Sequence, residues 1–323
     1  MKKKILLFCF IVINVQAHIS WRSNKMQNFY KNKEVLVTGG CGFIGSHIVE
    51  ELVSLGAQVT ILDNLSTGFL ENIEHVADKV TFINGSITDK KLCLHATRNK
   101  SHIFHLAAFI SVPKSVEEPT LCHETNIDGT FNMLEAARIN GVKRFVFSSS
   151  SAVYGAPTHA CNEESPCEPT SPYGFSKLID EYLCKQFVIN YDIECVCMRY
   201  FNVYGERQNP NAAYAAVVAK FRDLMKQNKP ITIFGDGLQT RDFIPVEQVT
   251  QINLLLGMLP AHTIKGEIFN VATGKSITVL ELFEELKTSF PAYKHTPQFA
   301  PARSGDIKHS IADCGKLQKI LQK

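Results

Sequence analysis

Tyr173 and Lys177, in the stretch Ser171-Pro172-Tyr173-Gly174-Phe175-Ser176-Lys177, carry the first chemistry that the chain offers. Proline suits the first position of a helix, where its missing N–H is not needed. A helix that starts at Pro172 puts residues four apart on one face, so the phenol and the ammonium stand together. A phenol ordinarily keeps its proton up to about pH 10, and a neighbouring positive charge favours the phenolate and draws that value down. The pair therefore reads as a tuned general acid/base. The spacing alone is a weak signal, because nine tyrosines in this chain supply roughly one Tyr-x-x-x-Lys by chance. The surrounding elements have to decide.

The elements that would position such a pair begin near residue 35. Val35-Leu36-Val37-Thr38 is a short β-branched run, followed at once by Gly39-Gly40-Cys41-Gly42-Phe43-Ile44-Gly45. A helical pattern runs from about Phe43 to Leu55 and stops at Gly56; the apolar run Val59 to Leu62 then closes on Asp63-Asn64. Strand, glycine turn, helix, strand and terminal acid form a βαβ unit for a dinucleotide. Gly39, Gly42 and Gly45 let the backbone approach a pyrophosphate at the helix N-terminus. Asp63 accepts the ribose hydroxyls of NAD and repels the extra phosphate of NADP.

Further strands are expected near Val80–Ile83, His102–Leu106, Arg144–Ser148 and Glu194–Arg199, with helices between them. The fold class is α/β, a doubly wound parallel sheet (Rossmann-like). After about residue 200, Pro and Gly punctuation rises and helices are expected near Tyr214–Gln227, Glu247–Leu259 and Val279–Ser289. The division is an NAD-binding domain over 26–200 and a smaller, mixed, mostly substrate-binding region over 201–323, interleaved with the first.

Composition narrows the class. Hydrophobic residues at 45% and charged at 20% describe a soluble globular protein, and a net charge of +3 without a Lys/Arg-rich run in the body gives no footprint for nucleic acid. Ten cysteines are scattered without a CxxC. Cys195 and Cys197 fall in an apolar run and read as buried thiols, so no metal site is expected and a reducing, cytoplasmic compartment is. The N-terminus points the other way: Lys2-Lys3-Lys4, apolar Ile5 to Val15 and Gln16-Ala17-His18 have the layout of a secretory signal. An apolar run of about eleven residues is too short to span a bilayer. Met26, just before the first strand, would equally serve as a cytosolic start. Residues 1–25 are set apart from the fold on either reading.

Taken in order, the blocks resemble the extended short-chain dehydrogenase/reductase superfamily, and within it the NAD-dependent nucleotide-sugar 4-epimerases. They are Gly39-x-x-Gly42-x-x-Gly45, Asp63-Asn64-Leu65, His105-Leu106-Ala107-Ala108, Asn126-x-x-Gly129-Thr130, Ser148 to Gly155, Tyr173-x-x-x-Lys177, Arg199 to Gly205, Arg241-Asp242-Phe243 and Arg303-Ser304-Gly305-Asp306. The resemblance spans roughly residues 34 to 320 and implies catalysis by Ser150, Tyr173 and Lys177. It adds cofactor contacts from Phe43, Ile44, Asn64, Ser66, Thr67, Gly68, Ser86 and Ile87, and from Leu106, Ala107, Ala108, Asn126, Ser148 and Phe201. It places the substrate against Ser111, Asn202, Ala216, Val217, Phe234, Arg241, Arg303, Asp306 and Ser310, with the two arginines as a diphosphate clamp. The plain reading of Ser148–Ser151 is a polar strand end that caps the next turn, so Ser150 rests on the resemblance.

The mechanism so implied removes the proton and hydride at sugar C4 and returns them after the keto sugar turns over, leaving bound NAD unchanged. Related dehydratases carry an Asp-Glu pair after the hydroxyl residue, and decarboxylases a Glu. Here the residues are Ser151-Ala152, so elimination lacks its acid. A small residue at Ser310, together with Ser111 to Ser115 and Arg199 to Phe221, resembles the branch that interconverts UDP-GlcNAc and UDP-GalNAc. UDP-glucose and UDP-glucuronate 4-epimerases are the alternatives, and a non-catalytic NAD-binding scaffold is the alternative of another class. Ser86 replaces the family's adenine-binding Asp, and Ile110 a Lys of the galactose-type enzymes. The chain also stops at Lys323, where relatives continue, which is expected to expose apolar surface. A homodimer through the Tyr–Lys helix and the helix before it is expected.

Overall fold

The computed structural model of the chain describes residues 24–210, 217–302 and 308–322. The signal-like segment up to residue 23 lies outside the described residues, as do Ala216, Arg303 and Asp306. A helix over residues 24–30 (α1) leads into β1 (Glu34–Thr38), whose residues from Val35 onward are all buried. A continuous β-branched run without polar alternation specifies such a strand, covered on both faces. α2 (Phe43–Ser54) brings the chain back to β2 (Gln58–Asp63), which pairs parallel to β1 with Val35 opposite Val59. β3 (Val80–Asn84) adds outside β2. α3 (Lys90–Ala96) then carries the chain to the other side of β1, where β4 (His102–His105) pairs. The winding reverses there, which opens a crevice at the carboxyl ends of the strands.

α4 (Val112–Glu117), α5 (Pro119–His123), a π-helical turn over Glu124–Asp128 and α6 (Gly129–Ile139) lead to β5 (Arg144–Ser150). α7 (Pro172–Tyr191) follows, then β6 (Glu194–Tyr200). Alternation along the strands divides the core. Val35, Val37, Phe104 and Val146 pack beneath α2, whereas Leu36, Ile103, Phe145 and Phe147 pack beneath α6 and α7. The expected doubly wound parallel sheet is the one observed.

The later half shares itself between two bodies. β7 (Asn202–Tyr204), α8 (Val217–Lys226), β8 (Thr232–Phe234) and β9 (Thr240–Pro245) belong to the smaller one. α9 (Val246–Met258), α10 (Ala261–Ile264) and β10 (Glu267–Val271) return to the larger: α9 lies on α2, and β10 joins β6 as the seventh parallel strand. The order is β10-β6-β5-β4-β1-β2-β3. β11 (Ser276–Thr278), α11 (Val279–Thr288), β12 (Gln298–Ala300) and β13 (His309–Ser310) complete the small body. There β9 pairs with β7, β11 and β13, while α8 and α11 bury Phe221, Leu282 and Phe283. α12 (Gly315–Leu321) packs against β10 and buries Leu317 in the larger core. No helix among the described residues is long and apolar enough to cross a membrane.

Arg144 joins the two halves beneath the sheet. Its buried guanidinium donates to the carbonyls of Leu256 (3.1 Å), Gly257 (2.7 Å) and Leu259 (2.9 Å) and to Glu194 (2.6 Å). It thus takes up carbonyls that the end of α9 leaves open, on the negative end of that helix. Arg144→Leu should lower unfolding stability by about 3 kcal/mol, because buried acceptors and Glu194 lose their partner; chemical denaturation measures this.

Candidate active site

The crevice between β1 and β4 opens into a cavity of about 200 Å³. One wall is the turn after β1, with Gly39, Gly42, Phe43, Ile44 and Gly45. Gly42 is the N-cap of α2 and gives no side-chain cap, so the N–H groups of the first turn are left for an anion. The turn is tight enough that a Cβ on Gly45 would come 2.1 Å from the Gly39 carbonyl oxygen. At the end of β2, Asp63 accepts N–H bonds from Cys41 (2.9 Å) and Leu65 (2.8 Å), which fixes its carboxylate while leaving lone pairs for a ribose. Asn64, Ser66 and Thr67 continue that side. Ser86 and Ile87 follow β3, Leu106, Ala107 and Ala108 follow β4, and Ser148, Tyr173 and Lys177 close the far end. A glycine cradle, an open helix N-terminus and an acid at the second strand fit NAD.

α7 is fixed at its start by two serines. Ser171 caps it by accepting the Gly174 N–H at 3.1 Å, and Ser115 of α4 accepts the Tyr173 N–H at 3.2 Å. Gly174 has to lack a side chain, since a Cβ there would stand 2.6 Å from the Ala152 carbonyl oxygen. The turn Ser151–Tyr154 can therefore press against α7 and bring Ser150 close enough to the Tyr173 phenol for its hydroxyl to favour the phenolate. Ser150 also accepts the Ala152 N–H at 3.1 Å, so it caps the turn and faces the phenol at once.

Lys177 is buried, donates to the Ser148 carbonyl at 2.9 Å and stands 4.7 Å from the centre of the Phe147 ring. Burial pulls its pKa down, and Asp180 is the largest opposing influence. Tyr173 differs from expectation. Burial raises the phenol above its ordinary value, only partly offset by the nearby Ser150 hydroxyl. The spacing accounts only for the neighbouring positive charge, whereas here Lys177 is itself desolvated and donates to a carbonyl. At neutral pH these surroundings keep Tyr173 a protonated phenol.

Several expected cofactor residues stand behind the wall. Asn126, on the π-turn, accepts the Phe109 N–H (2.7 Å) and donates to the Phe109 carbonyl (3.1 Å) and the Ser176 hydroxyl (2.8 Å), so its amide is spent holding the segment after β4 to α7. Phe201 is buried against Val153 and Tyr154, and Gly68 lies against the Cys41 backbone. Ser86, by contrast, lies on the wall, where its hydroxyl accepts from the Thr88 hydroxyl at 2.8 Å. Thr125, Ser149 and Tyr200 also line the cavity. Tyr200 was visible only as a member of its motif; nothing in the sequence marked Thr125.

On the substrate side, Asn202, Val217, Phe234 and Arg241 line a second cavity of about 500 Å³ between α8, β8 and β9. Asn202 donates to the Asp242 carbonyl at 3.0 Å. Ser310 is not on that wall; it pairs with Arg241 in the small sheet. Ser111 caps α4, accepting the Lys114 N–H at 3.3 Å, and is likewise off both walls.

A seven-stranded parallel sheet, a glycine cradle at its switch point and a hydroxyl–Tyr–Lys group define an NAD-dependent enzyme of the short-chain dehydrogenase type. Residues 35–272 match the model of the NAD dependent epimerase/dehydratase family, and the chain belongs to it. It is similar to a putative UDP-glucose 4-epimerase of Methanocaldococcus jannaschii, 40% identical over 289 residues, which cover 88% of this chain and 92% of that one. Among solved structures it is similar to a UDP-N-acetylglucosamine 4-epimerase from Methanobrevibacter ruminantium M1 in complex with UDP-N-acetylmuramic acid. That match has TM-score 0.84 and 41% identity over 90% of this chain and 92% of that one. A Thermotoga maritima UDP-glucose 4-epimerase with UDP-glucose gives TM-score 0.83 and 38% identity over 88% and 91%. The chain is an isomerase that uses NAD.

Gly45→Ala should leave the protein without bound NAD after purification, at least about tenfold weaker in NAD binding, because the new methyl displaces the turn that holds the pyrophosphate. Release of nucleotide from denatured protein measures it.

Proposed function

We propose that this enzyme is a UDP-sugar 4-epimerase that interconverts UDP-GlcNAc and UDP-GalNAc through a transient 4-keto sugar. The observation that carries the reaction type is the convergence of Ser150, Tyr173 and Lys177 at the end of the NAD cavity, with Ala152 where elimination would need an acid. When bound, NAD supplies the acceptor and donor of hydride and ends as it began. Tyr173 takes the proton from the sugar 4-hydroxyl and later returns it. Ser150 holds the same oxygen by a hydrogen bond, so the proton passes along a short, oriented path. Since Tyr173 rests as a phenol, its action as a base calls for added positive charge when the ligands are in place.

Asn202, Phe234 and Arg241 bind the nucleotide part, Arg241 through the diphosphate; Arg303 and Asp306 are proposed to complete that grip. The choice of an acetamido sugar rests on Ser310, small and adjacent to Arg241 in the sheet. UDP-glucose is the second reading, supported by the relatives that carry that name. A homodimer is part of the proposal: Phe175, Tyr182 and Ile189, seven apart on α7, are 56%, 61% and 65% exposed, and Phe131 and Ile139 of α6 are exposed beside them. All nine described cysteines are free thiols, which suits a reducing compartment.

A competition assay over UDP-GlcNAc, UDP-glucose and UDP-glucuronate tests the reading. UDP-GlcNAc should have the highest kcat/KM, and NAD binding without turnover of any of the three would favour a scaffold. Tyr173→Phe should keep fold and bound NAD and lower kcat by about a hundredfold or more; near wild-type turnover would sink the mechanism. Ser310→Tyr should remove activity on the acetamido sugars selectively, because the ring fills the acetyl space. Equal loss on UDP-glucose would overturn the pocket assignment.

A further inference from the structure

Asp180 sits behind the catalytic pair, on neither cavity wall. It lies three residues beyond Lys177 on α7, is 0% exposed, and neither carboxyl oxygen has a hydrogen-bond partner among the described residues. A buried carboxylate in that condition requires a nearby positive charge or a proton.

The groups packed around it narrow the choice. Glu181 is occupied by Arg199, at 2.7 and 2.9 Å, and by the Ser149 hydroxyl, so that ion pair of α7 and β6 is closed on itself, with Tyr154 stacked on the guanidinium. The thiols of Cys122 on α5, Cys184 on α7 and Cys197 on β6 are all raised, and burial keeps His105 of β4 neutral with a pKa of about 3. On β5, Arg144 is engaged with Glu194 and the end of α9, while Phe147 and Ser148 face Lys177. On α4 and the π-turn, Lys114, Glu117, Glu124 and Asp128 are exposed, and on α6 Glu135 is paired with Arg138. Burial pushes the Asp180 carboxyl well above its ordinary pKa, and among the described residues Lys177 is the largest influence that opposes this and favours the anion.

A chain of hydrogen bonds arrives from the cofactor wall with a defined direction. The Thr38 hydroxyl accepts from the N–H groups of Leu106 and Ala107, each at 3.2 Å, sharing the first with the Thr38 carbonyl at 3.1 Å. Its own proton therefore goes to His105 Nδ1 at 2.8 Å. Neutral His105 then carries its proton on Nε2 and donates to the Thr130 hydroxyl at 3.1 Å. Thr130 lies close enough to Asp180 to stabilise its charged form, with its O–H left to give. Each member hands on a donor, and a chain so polarised ends best on a carboxylate.

We propose that Asp180 is the buried counter-ion of Lys177, a positioning residue that keeps the ammonium charged beneath Tyr173 and couples it, through Thr130, His105 and Thr38, to the backbone that faces the cofactor. The inference rests on Tyr173 and Lys177 being the acid/base pair. Removing the anion disfavours the ammonium, so Lys177 loses its proton at lower pH.

The experiment compares kcat/KM against pH for the NAD-loaded wild type and Asp180→Asn, using whichever of UDP-GlcNAc and UDP-glucose the wild type turns over. The alkaline limb should move down by about one pH unit or more, a tenfold loss above it with recovery at lower pH, at unchanged NAD content. Thr130→Val, which removes the nearby hydroxyl that favours the Asp180 carboxylate, should move the same limb in the same direction by less. An unmoved alkaline limb in Asp180→Asn overturns the proposal, whether activity is kept or falls equally at every pH as a packing defect would make it. Should Asp180→Asn not fold, an unmoved limb in Thr130→Val overturns it instead. Lys177→Met serves as the reference: full activity there would defeat the reading of the pair, whereas an inactive Lys177→Met beside an unmoved limb defeats only the role of Asp180.

Discussion

One contact organises the catalytic end of this molecule: the buried Lys177 ammonium donating to the carbonyl of Ser148, at 2.9 Å. A desolvated ammonium needs a strong acceptor, and the last turns of a sheet strand supply one only if the helix is held against that strand. The three successive serines of β5 then reach in three directions. Ser148 meets the Tyr200 phenol, itself bonded to Asn253 of α9; Ser149 bonds Glu181 of α7; Ser150 turns to Tyr173. Alternation along the strand sends neighbours to opposite faces, so a run of like residues becomes a junction between sheet, helix and site.

The two cavities are built by different parts of the chain. The cavity that fits NAD hangs from the carboxyl ends of β1 to β5, with Tyr173 and Lys177 reaching in from α7. The cavity beside Arg241 is built from short strands and α8, on loops rich in Pro and Gly. A scaffold divided in this way lets the sugar change while the proton and hydride steps stay as they are.

Much of this was legible in the sequence because it rests on local signals. The βαβ unit announced itself through an uninterrupted apolar strand, a glycine turn and an acid at the next strand's end, and α7 through Ser171-Pro172. Other features depend on approach between distant segments. The need for Gly174 comes from the Ala152 carbonyl, and the use of Asn126 from Phe109 and Ser176. The Tyr173 phenol shows the same limit: spacing placed a cation near it, but only the fold reveals that both are desolvated and that the cation is engaged elsewhere.

The return of α9 and β10 to the larger body bears on how the chain acquires its shape. Until residues 246–271 are made, β6 stands as an open parallel edge beside an exposed apolar face that α9 would cover. Two bodies that look separable in space are thus inseparable in time. An emerging chain carries an unfinished sheet through most of its synthesis, and a lesion in the small body's connections would hold that edge open to wrong partners.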